Sequence, residues 1–357
     1  MTAPTPTKPP VTDVPKTSGT RLADRVFKMR ELAILVVFLV MIGVTQAGNS
    51  EFLSEQGVKD LLLNATILVL VATGQSLVVI TRNVDLSVGS TLGITAFAAG
   101  VYLHDGGNPV VAVVLAVLLG TAFGLLNGLL VSLGQVPALV VTLGTLYIIR
   151  GIDSIWVGSR QITADALPAS FVDFGSGGIS AIPYVALIAL AVLIATACYL
   201  KHFRTGRELY ALGSNPEAAR LAGIKVRKRI LTAYMFCGAA AGLAGAMYLA
   251  RFGNVDSGTG NGYELTVVSA VVVGGVVFTG GSGSVYGAAL GALLLTSINS
   301  VLPALGVSSV WVLAINGVLL LLAIAVDRIV ALRVAGALKK KSAPVKQDSK
   351  KGEPRHA

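Results

Sequence analysis

The chain has 357 residues, of which 54% are hydrophobic and 13% are charged, and its mean hydropathy is +0.77. A soluble domain carries about 25% charged residues, so this composition excludes an ordinary soluble globular protein and indicates a polytopic membrane protein. The formal net charge of +10 would suit a nucleic-acid partner, but the basic residues cluster in tails and loops, as described below.

The N-terminal residues 1–25 contain several prolines and are predicted to form a disordered cytoplasmic tail. Residues 21–30 are basic and precede an apolar run at residues 32–44. That run has two interpretations. The basic residues before the short run and the small residue Ala47 after it fit a signal peptide. Alternatively, a helix that starts near Phe27 forms a retained first span, and we prefer this interpretation. Both give the same topology downstream.

The remaining apolar stretches bring the prediction to about ten membrane-spanning helices in an all-α transmembrane domain at residues 26–332. Two of these stretches, at 86–103 and 265–280, are short and glycine-rich, so they are expected to be broken or not to cross fully. Residues 333–357 are rich in lysine, and this composition predicts a disordered cytoplasmic tail. The spans predicted after the first lie at 60–81, 86–103, 109–133, 136–157, 180–200, 230–250, 265–280, 284–302 and 309–330.

A long charged segment at residues 201–229 interrupts the apolar runs and carries its own helix signature. Asn215 suits the N-cap, Pro216 the first helical position, and Glu217 the first turn, where an acid is favoured. Gly223 supplies a C-terminal stop. The segment therefore predicts a capped helix of about two turns. Such a helix suits docking on another protein. The alternative is a loop whose charges only set the topology.

The distribution of basic residues predicts the orientation of the chain. Of 28 lysines and arginines, 24 lie in the two tails, at Arg82 or in the 201–229 segment, which all share one side if ten helices cross. Positive charge accumulates on the cytoplasmic side, so both termini and this segment are predicted to be cytoplasmic. Contact with anionic lipid then explains the charge without nucleic acid. The basic residues assigned outside are Lys59, Arg160 and Arg251, and Arg150 lies within a span.

The sequence contains few groups that could perform chemistry. It has no phosphate-binding loop, paired carboxylates, nucleophile elbow or metal-ligand cluster, so no enzyme activity, cofactor or metal is expected. Cys198 and Cys237 lie in apolar runs and are predicted to be packing residues. Arg150 and Asp153 are spaced to form an ion pair, for which we favour a structural role. Asp85 is predicted to cap the helix that follows it.

Amides and hydroxyls are more frequent in the predicted spans than charged groups are. Each of them alone is explained by hydrogen bonding between helices. Together they suit a path for a neutral, polyhydroxylated solute, because an ion or zwitterion would need compensating charge at depth. The residues predicted to line this path are Asn64, Gln75, Asn127, Thr142 and Asn299.

Four stretches together resemble one family, the bacterial ABC-type sugar permeases of the ribose/xylose/arabinose class. They are Gly206–Ile224 with GSNPEAARLAGI, Asn83–Ser90 (NVDLSVGS), Pro137–Gly151 (PALVVTLGTLYIIRG) and Gly274–Gly287 (GGVVFTGGSGSVYG). The resemblance runs from about residue 30 to residue 330 and excludes the tails. Two further stretches look more like the rhamnose and autoinducer-2 branch, namely Gly306–Trp311 (GVSSVW) and Ala325–Asp327.

The resemblance implies a fold like that of type II ABC importers, in the cytoplasmic (inner) membrane of a bacterium. It also implies three protein partners: a second permease chain, identical or paralogous, a cytoplasmic ATPase that holds ATP and Mg, and an extracytoplasmic sugar-binding protein. The chain itself would bind no cofactor. By resemblance, the residues that contact the ATPase are Asn215, Pro216, Glu217, Ala218, Ala219 and Gly223.

An importer subunit for autoinducer 2 is one alternative to a permease for a ribose-, xylose- or rhamnose-like monosaccharide, and two others remain open. A related importer subunit would carry branched-chain amino acids, and its complex would respond to amino acids rather than sugars. A self-sufficient carrier or channel would be driven by an ion gradient and would work without any ATPase. The sequence has few acidic residues in its spans that could relay ions, which argues against the self-sufficient carrier or channel.

Overall fold

The computed structural model describes residues 18–304 and scattered positions between residues 311 and 325. Residues 1–17 of the predicted N-terminal tail, the whole predicted C-terminal tail at 333–357 and most of the span predicted at 309–330 lie outside the described residues. The helices are α1 Ser18–Gly48, α2 Glu55–Ile80, α3 Val88–His104, α4 Pro109–Gly134, α5 Ala138–Val157, α6 Ala169–Ser176, α7 Tyr184–His202, α8 Arg204–Ser214, α9 Pro216–Leu221, α10 Val226–Phe252, α11 Tyr263–Val273 and α12 Val285–Ala304. Because α1 begins at Ser18, residues 18–25 are helical rather than part of a disordered tail.

Within the described residues, six helices are long and apolar enough to cross a membrane. They are α2, α4, α5, α7, α10 and residues Val285–Leu302 of α12. Three shorter apolar helices accompany them, namely Ile34–Gly48, α3 and α11, and the last two are the stretches predicted to be short. The structure therefore supports a polytopic helical membrane protein, although the predicted total of about ten spans is not established.

The stretch at 265–280, predicted to be a broken or incompletely crossing span, changes conformation halfway. Helix α11 ends at Val273, and the chain runs without regular structure from Gly274 to Ser284. Glycines with positive φ, Gly280 (+75°) among them, impose this irregular path, because other residues rarely adopt that conformation. Non-helical backbone at membrane depth must be covered by protein, and here Gly281 N donates to Ile80 O at the end of α2 (2.9 Å).

Helix α2 lies at the centre of the bundle, with its residues buried from Ala65 to Ile80. Helices α4 and α10 pack closely through glycines. A Cβ atom placed on Gly120 of α4 would overlap the carbonyl oxygen of Gly238 of α10, and the reverse also holds. Small residues at such contacts let backbones approach in a membrane, where packing replaces the hydrophobic driving force.

A small hairpin departs from the predicted all-α fold. Strand β1 (Gly178–Ile179) pairs antiparallel with β2 (Ile182–Pro183), and α6 precedes them. The span predicted to start at residue 180 therefore starts at Tyr184. Pro183 stands at the last strand position, where the missing N–H of proline is tolerated, and its fixed φ suits the start of the following helix.

Candidate functional site

The charged segment at 201–229 contains two helices, α8 and α9, where the sequence predicted one. Helix α8 buries Gly206, Leu209, Leu212 and Gly213 and exposes its charged side. The spacing of Leu209 and Leu212 is the amphipathic signal that would have predicted this helix. Helices α8 and α9 meet at Asn215, which ends the first and begins the second.

The caps of α9 match the sequence prediction. The side-chain oxygen of Asn215 accepts hydrogen bonds from the N–H groups of Glu217 (3.1 Å) and Ala218 (3.0 Å). At the other end Gly223 has φ +80°, and Ile224 N donates to Ala219 O at 3.0 Å. This is a Schellman termination. Helix α9 has six residues, about 9 Å at 1.5 Å per residue, slightly less than the two turns predicted.

Most of α9 faces outward. Asn215, Pro216, Glu217, Ala218 and Gly223 are exposed. Ala219 is only 5% exposed, so its side chain anchors α9 on the bundle rather than presenting a contact surface. Leu221, which the sequence analysis missed, is 87% exposed. An exposed leucine at this position is available for burial in an interface.

Arg82, just after α2, attaches α8 and α9 to the bundle. Its guanidinium donates from Nε to the carbonyl oxygen of Gly213 and from Nη2 to that of Ser214, the latter at 2.6 Å. Both acceptors are in the last turn of α8, where carbonyl groups lack helical partners. Gly213 must be a glycine here, because a Cβ would overlap Ile80 O. The chain that enters α9 is thus fixed to the end of α2.

Two further contacts hold α8. The hydroxyl of Tyr210 donates to Gly283 O in the segment before α12 (3.0 Å), and burial raises the pKa of Tyr210 to about 12, which keeps it a neutral donor. Glu208 accepts from Arg229 Nε at 2.6 Å and from Arg204 Nε at 2.9 Å. The hydrogen bond from Arg229, followed by that from Arg204, lowers the pKa of Glu208. Helix α8 is therefore joined to α10 and to the α12 entrance as well as to α2.

Asp85 lies in a buried polar cluster in the connector between α2 and α3. Its carboxylate accepts from Ser87 N (2.9 Å) and from Ser87 Oγ (2.7 Å). Asn127 of α4 donates to Ser87 Oγ (2.8 Å) and to Asp85 Oδ1 (3.3 Å). Asp85 was predicted to cap α3, but the N-cap residue is Ser87. The carboxylate instead caps the turn before the helix, because α3 begins only at Val88.

Gln75 and Thr142 contact the same connector. With its amide oriented to satisfy both partners, Gln75 accepts from Asp85 N (3.1 Å) and donates to Asp85 O (3.3 Å). Thr142 Oγ1 lies within hydrogen-bond distance of Val84 O (3.3 Å) and Ala138 O (2.9 Å). Three of the predicted path residues, Gln75, Asn127 and Thr142, thus surround the connector and bond to protein. The Oδ1 atom of Asn127 is buried without a hydrogen-bond partner in the part of the chain that the structure describes.

Asn64 and Asn299 lie together elsewhere. Both line a cavity of about 250 Å³ between α2, α10, α11 and α12. The side-chain oxygen of Asn299 is buried without a hydrogen-bond partner among the described residues. The structure therefore separates the predicted path residues into the connector cluster and this cavity.

The predicted ion pair within α5 is present. Arg150 Nη1 and Asp153 Oδ2 are 3.7 Å apart, and Asp153 is fully buried. Arg150 Nη1 also donates to Thr259 O (2.7 Å), so the pair ties α5 to the loop after α10. This geometry fits a structural role. Among the described residues, no group of three His, Cys, Asp or Glu side chains could hold a metal ion.

Comparisons with known proteins bear on the whole chain. The family described as "Branched-chain amino acid transport system / permease component" matches residues 57–324. The autoinducer 2 import system permease protein LsrC of Enterobacter sp. (strain 638) is 36% identical over 300 residues, 84% of this chain and 87% of the relative. The ribose import permease protein RbsC of Escherichia coli (strain K12) is 34% identical over 312 residues, 87% of this chain and 97% of the relative.

No solved structure matches the chain. The family match covers well over half of the sequence, and the relatives match along most of both chains. The resemblance to import permeases drawn from the four motifs is confirmed. The chain belongs to the transport-system permease family that includes the ribose and autoinducer 2 import permeases.

Proposed function

We propose that the chain is the transmembrane permease subunit of an ATP-driven importer that moves a neutral monosaccharide, or a related polyhydroxylated solute, into the cytoplasm. The observation that carries this proposal is the match, along most of both chains, to import permeases named for ribose and autoinducer 2. The described residues that line the cavity of Asn64 and Asn299 are uncharged, as a neutral solute requires.

The partners follow from this assignment. A cytoplasmic ATPase would bind ATP and Mg and dock on α9, through Glu217, Leu221 and their exposed neighbours. A second permease chain, identical or paralogous, would complete the membrane unit, and an extracytoplasmic sugar-binding protein would deliver the solute. The basic residues that flank α9, Arg227 and Lys228 among them, support a cytoplasmic position for α9 and for both termini, by the positive-inside rule.

The contacts around α8 suggest how the parts would work together. Closure of the ATPases would displace α9, and α9 continues directly from the end of α8. Arg82 ties this region to α2, and Tyr210 ties it to the segment before α12, where Gly281 N in turn bonds to Ile80 O at the end of α2. The displacement would therefore reach both helices that carry the cavity amides. A rigid transfer of this kind is a common basis of switching in packed helices.

A second candidate function has one specific observation in its favour. The description of the matching family names branched-chain amino acids. A zwitterionic amino acid would need charged or dipolar partners in the path, and the described cavity residues supply only amides, hydroxyls and apolar groups. We therefore favour a neutral solute.

The test is reconstitution of the chain with its ATPase and binding protein in proteoliposomes. ATP-dependent uptake is measured for D-ribose, other neutral monosaccharides, autoinducer 2 and L-leucine. We expect at least one neutral polyhydroxylated solute to be taken up and to stimulate ATP hydrolysis. Uptake of leucine alone would favour the amino-acid importer, and uptake by the chain alone under an ion gradient would identify a carrier.

A further inference from the structure

The cavity that contains Asn64 and Asn299 has the composition of a binding site. It lies between four helices and has a volume of about 250 Å³, which equals the share of about eight water molecules in the liquid. The polar lining residues are Asn64, Tyr248, Tyr263, Thr266, Thr296, Asn299 and Ser300.

Asn299 is the most informative of these residues. Its Oδ1 atom is buried and has no hydrogen-bond partner among the described residues. A buried acceptor without a donor is costly and calls for an explanation. Other hydroxyls on α12 are satisfied within the helix, since Ser300 Oγ donates to Thr296 O (3.2 Å) and Ser297 Oγ donates to Leu293 O (2.8 Å). A solute hydroxyl in the cavity would supply the donor that Asn299 lacks.

Aromatic rings form one wall of the cavity. Tyr248 and Phe252 lie with ring centroids 4.5 Å apart on α10, and Tyr263 faces the cavity from α11. The C–H faces of a sugar ring are apolar and pack well on aromatic rings, while its hydroxyls need donors and acceptors. The cavity thus offers aromatic surface together with amide and hydroxyl groups, the two kinds of contact that a sugar requires.

The cavity has a neighbour on the side away from α9. A second cavity, of about 310 Å³, is lined by the loop of Asn254 and Asn261 and shares Tyr248 and Tyr263 with the first. Helix α10 begins beside α9 and ends at Phe252, so both cavities lie toward the end of the bundle opposite α9. The two tyrosines therefore stand between an outer loop and the cavity of Asn299.

We propose that the cavity of Asn299 binds the solute in transit, that this solute is a neutral polyhydroxylated molecule, and that Asn299 Oδ1 accepts a hydrogen bond from one of its hydroxyls. Tyr248 and Tyr263 form the wall between the outer cavity and the cavity of Asn299, and the solute passes this wall on its way inward. This inference rests on the proposed import function and adds the site and the acceptor.

The experiment uses the complete reconstituted complex and measures the maximal rate of D-ribose uptake, with binding protein and solute both saturating. Loss of one neutral hydrogen bond should lower the rate of Asn299→Leu about three- to tenfold. Asn299→Gln keeps the acceptor and should recover part of the rate. Ser297→Ala is the matched control on α12, because its hydroxyl bonds within the helix, and it should transport like the parent. Co-purification with the ATPase checks assembly.

The outcomes separate the two proposals. If the parent takes up D-ribose and Asn299→Leu matches it, or falls no further than Ser297→Ala, the site inference is overturned while the import function stands. If the parent takes up no neutral solute of the panel, the import function itself fails. Should Asn299→Leu not assemble, Thr266→Val on α11 replaces it, with Ser269→Ala as control, since Ser269 Oγ donates to Leu265 O (2.7 Å).

Discussion

Arg82 Nη2 donates a hydrogen bond to the carbonyl oxygen of Ser214, 2.6 Å away, across 132 positions of sequence. Ser214 ends α8 and stands directly before Asn215, the N-cap of α9. The guanidinium of Arg82 thus joins the end of α2 directly to the start of α9. We expect Arg82 to act as a positioning residue between the proposed docking surface on α9 and the bundle.

Replacing Arg82 should weaken the coupling between α9 and α2. Arg82→Gln keeps a donor but loses the charged fork, and we expect a loss of about 1–2 kcal/mol in the coupling of α9 to α2, about five- to thirtyfold. Solute-stimulated ATP hydrolysis should fall accordingly, while co-purification with the ATPase persists. Arg204→Gln is the control, because Arg204 is 85% exposed and pairs only within α8. Equal effects of both variants would contradict the assignment.

Charge reversal on α9 should weaken docking. Glu217 lies in the first turn and is exposed. Glu217→Lys places a positive charge at the positive end of the helix without altering a span, so insertion should be normal. We expect the affinity for the ATPase to fall about tenfold, about 1.4 kcal/mol, measured by co-purification and titration. Glu51→Lys, at the other end of α2, should bind like the parent. Parent-like docking by Glu217→Lys would refute the assignment.

Leu221 should contribute apolar area to the same contact. It is 87% exposed, and burying a leucine completely is worth about 1.5–3 kcal/mol. We expect Leu221→Ala to weaken ATPase binding about five- to thirtyfold, through a loss of about 1–2 kcal/mol. Leu221→Met retains the apolar area and should bind almost normally. Equal binding by the parent, the alanine variant and the methionine variant would mean that the leucine stays in solvent or lipid.

The C-terminal stop of α9 should be sensitive to backbone strain rather than to crowding. Gly223 has φ +80° and nothing lies within 4 Å of a Cβ atom placed on it. A side chain in this conformation costs about 1–2 kcal/mol, and a β-branched one resists it most. Gly223→Val should therefore lower solute-stimulated ATP hydrolysis severalfold. Gly223→Asn should be milder, because asparagine tolerates the left-handed region. Unchanged ATP hydrolysis in Gly223→Val would show that the C-terminal stop of α9 is not needed for coupling.

Glu208 gives a pH test of the α8 anchor. Arg229 and then Arg204 lower its pKa below the ordinary value of 4.5. A carboxyl whose pKa is lower in the folded state stabilises the fold above its unfolded pKa and loses that contribution as the pH falls through the folded pKa. Glu208→Gln should therefore have a lower Tm than the parent at pH 7, and the difference should shrink below about pH 4.5. A Tm difference between Glu208→Gln and the parent that stays constant from pH 7 to below about pH 4.5 would contradict the role of the Glu208 carboxylate in this anchor.

The sequence predicted those features that depend on near neighbours. The capping of α9 by Asn215 and its termination at Gly223 follow from residues within two turns, and both are present. The pair of Arg150 and Asp153 follows from their spacing and is also present. Among the described residues, the apolar runs located six helices that are long and apolar enough to cross a membrane, because length and hydropathy are local properties.

Features that depend on packing could not be predicted in the same way. In the sequence, Arg82 is fully explained as a topology-setting charge. Only the folded structure shows that it contacts Ser214. Leu221 is apolar, and only its position beyond the bundle shows that it is exposed. Asn64 and Asn299 meet in one cavity while Gln75 and Asn127 meet at the connector, which depends on how helices far apart in sequence pack.

The most direct test of the account is a crosslink from α9. A single cysteine is introduced as Ala218→Cys in a Cys198→Ser background, since Ala218 is exposed and the remaining Cys237 is buried. The intact complex is treated with a short thiol-to-amine crosslinker, and the exposed Ser50→Cys at the opposite end serves as control. We predict a covalent adduct with the ATPase from position 218 and none from position 50. No adduct from position 218, or equal adducts from both, would contradict the account.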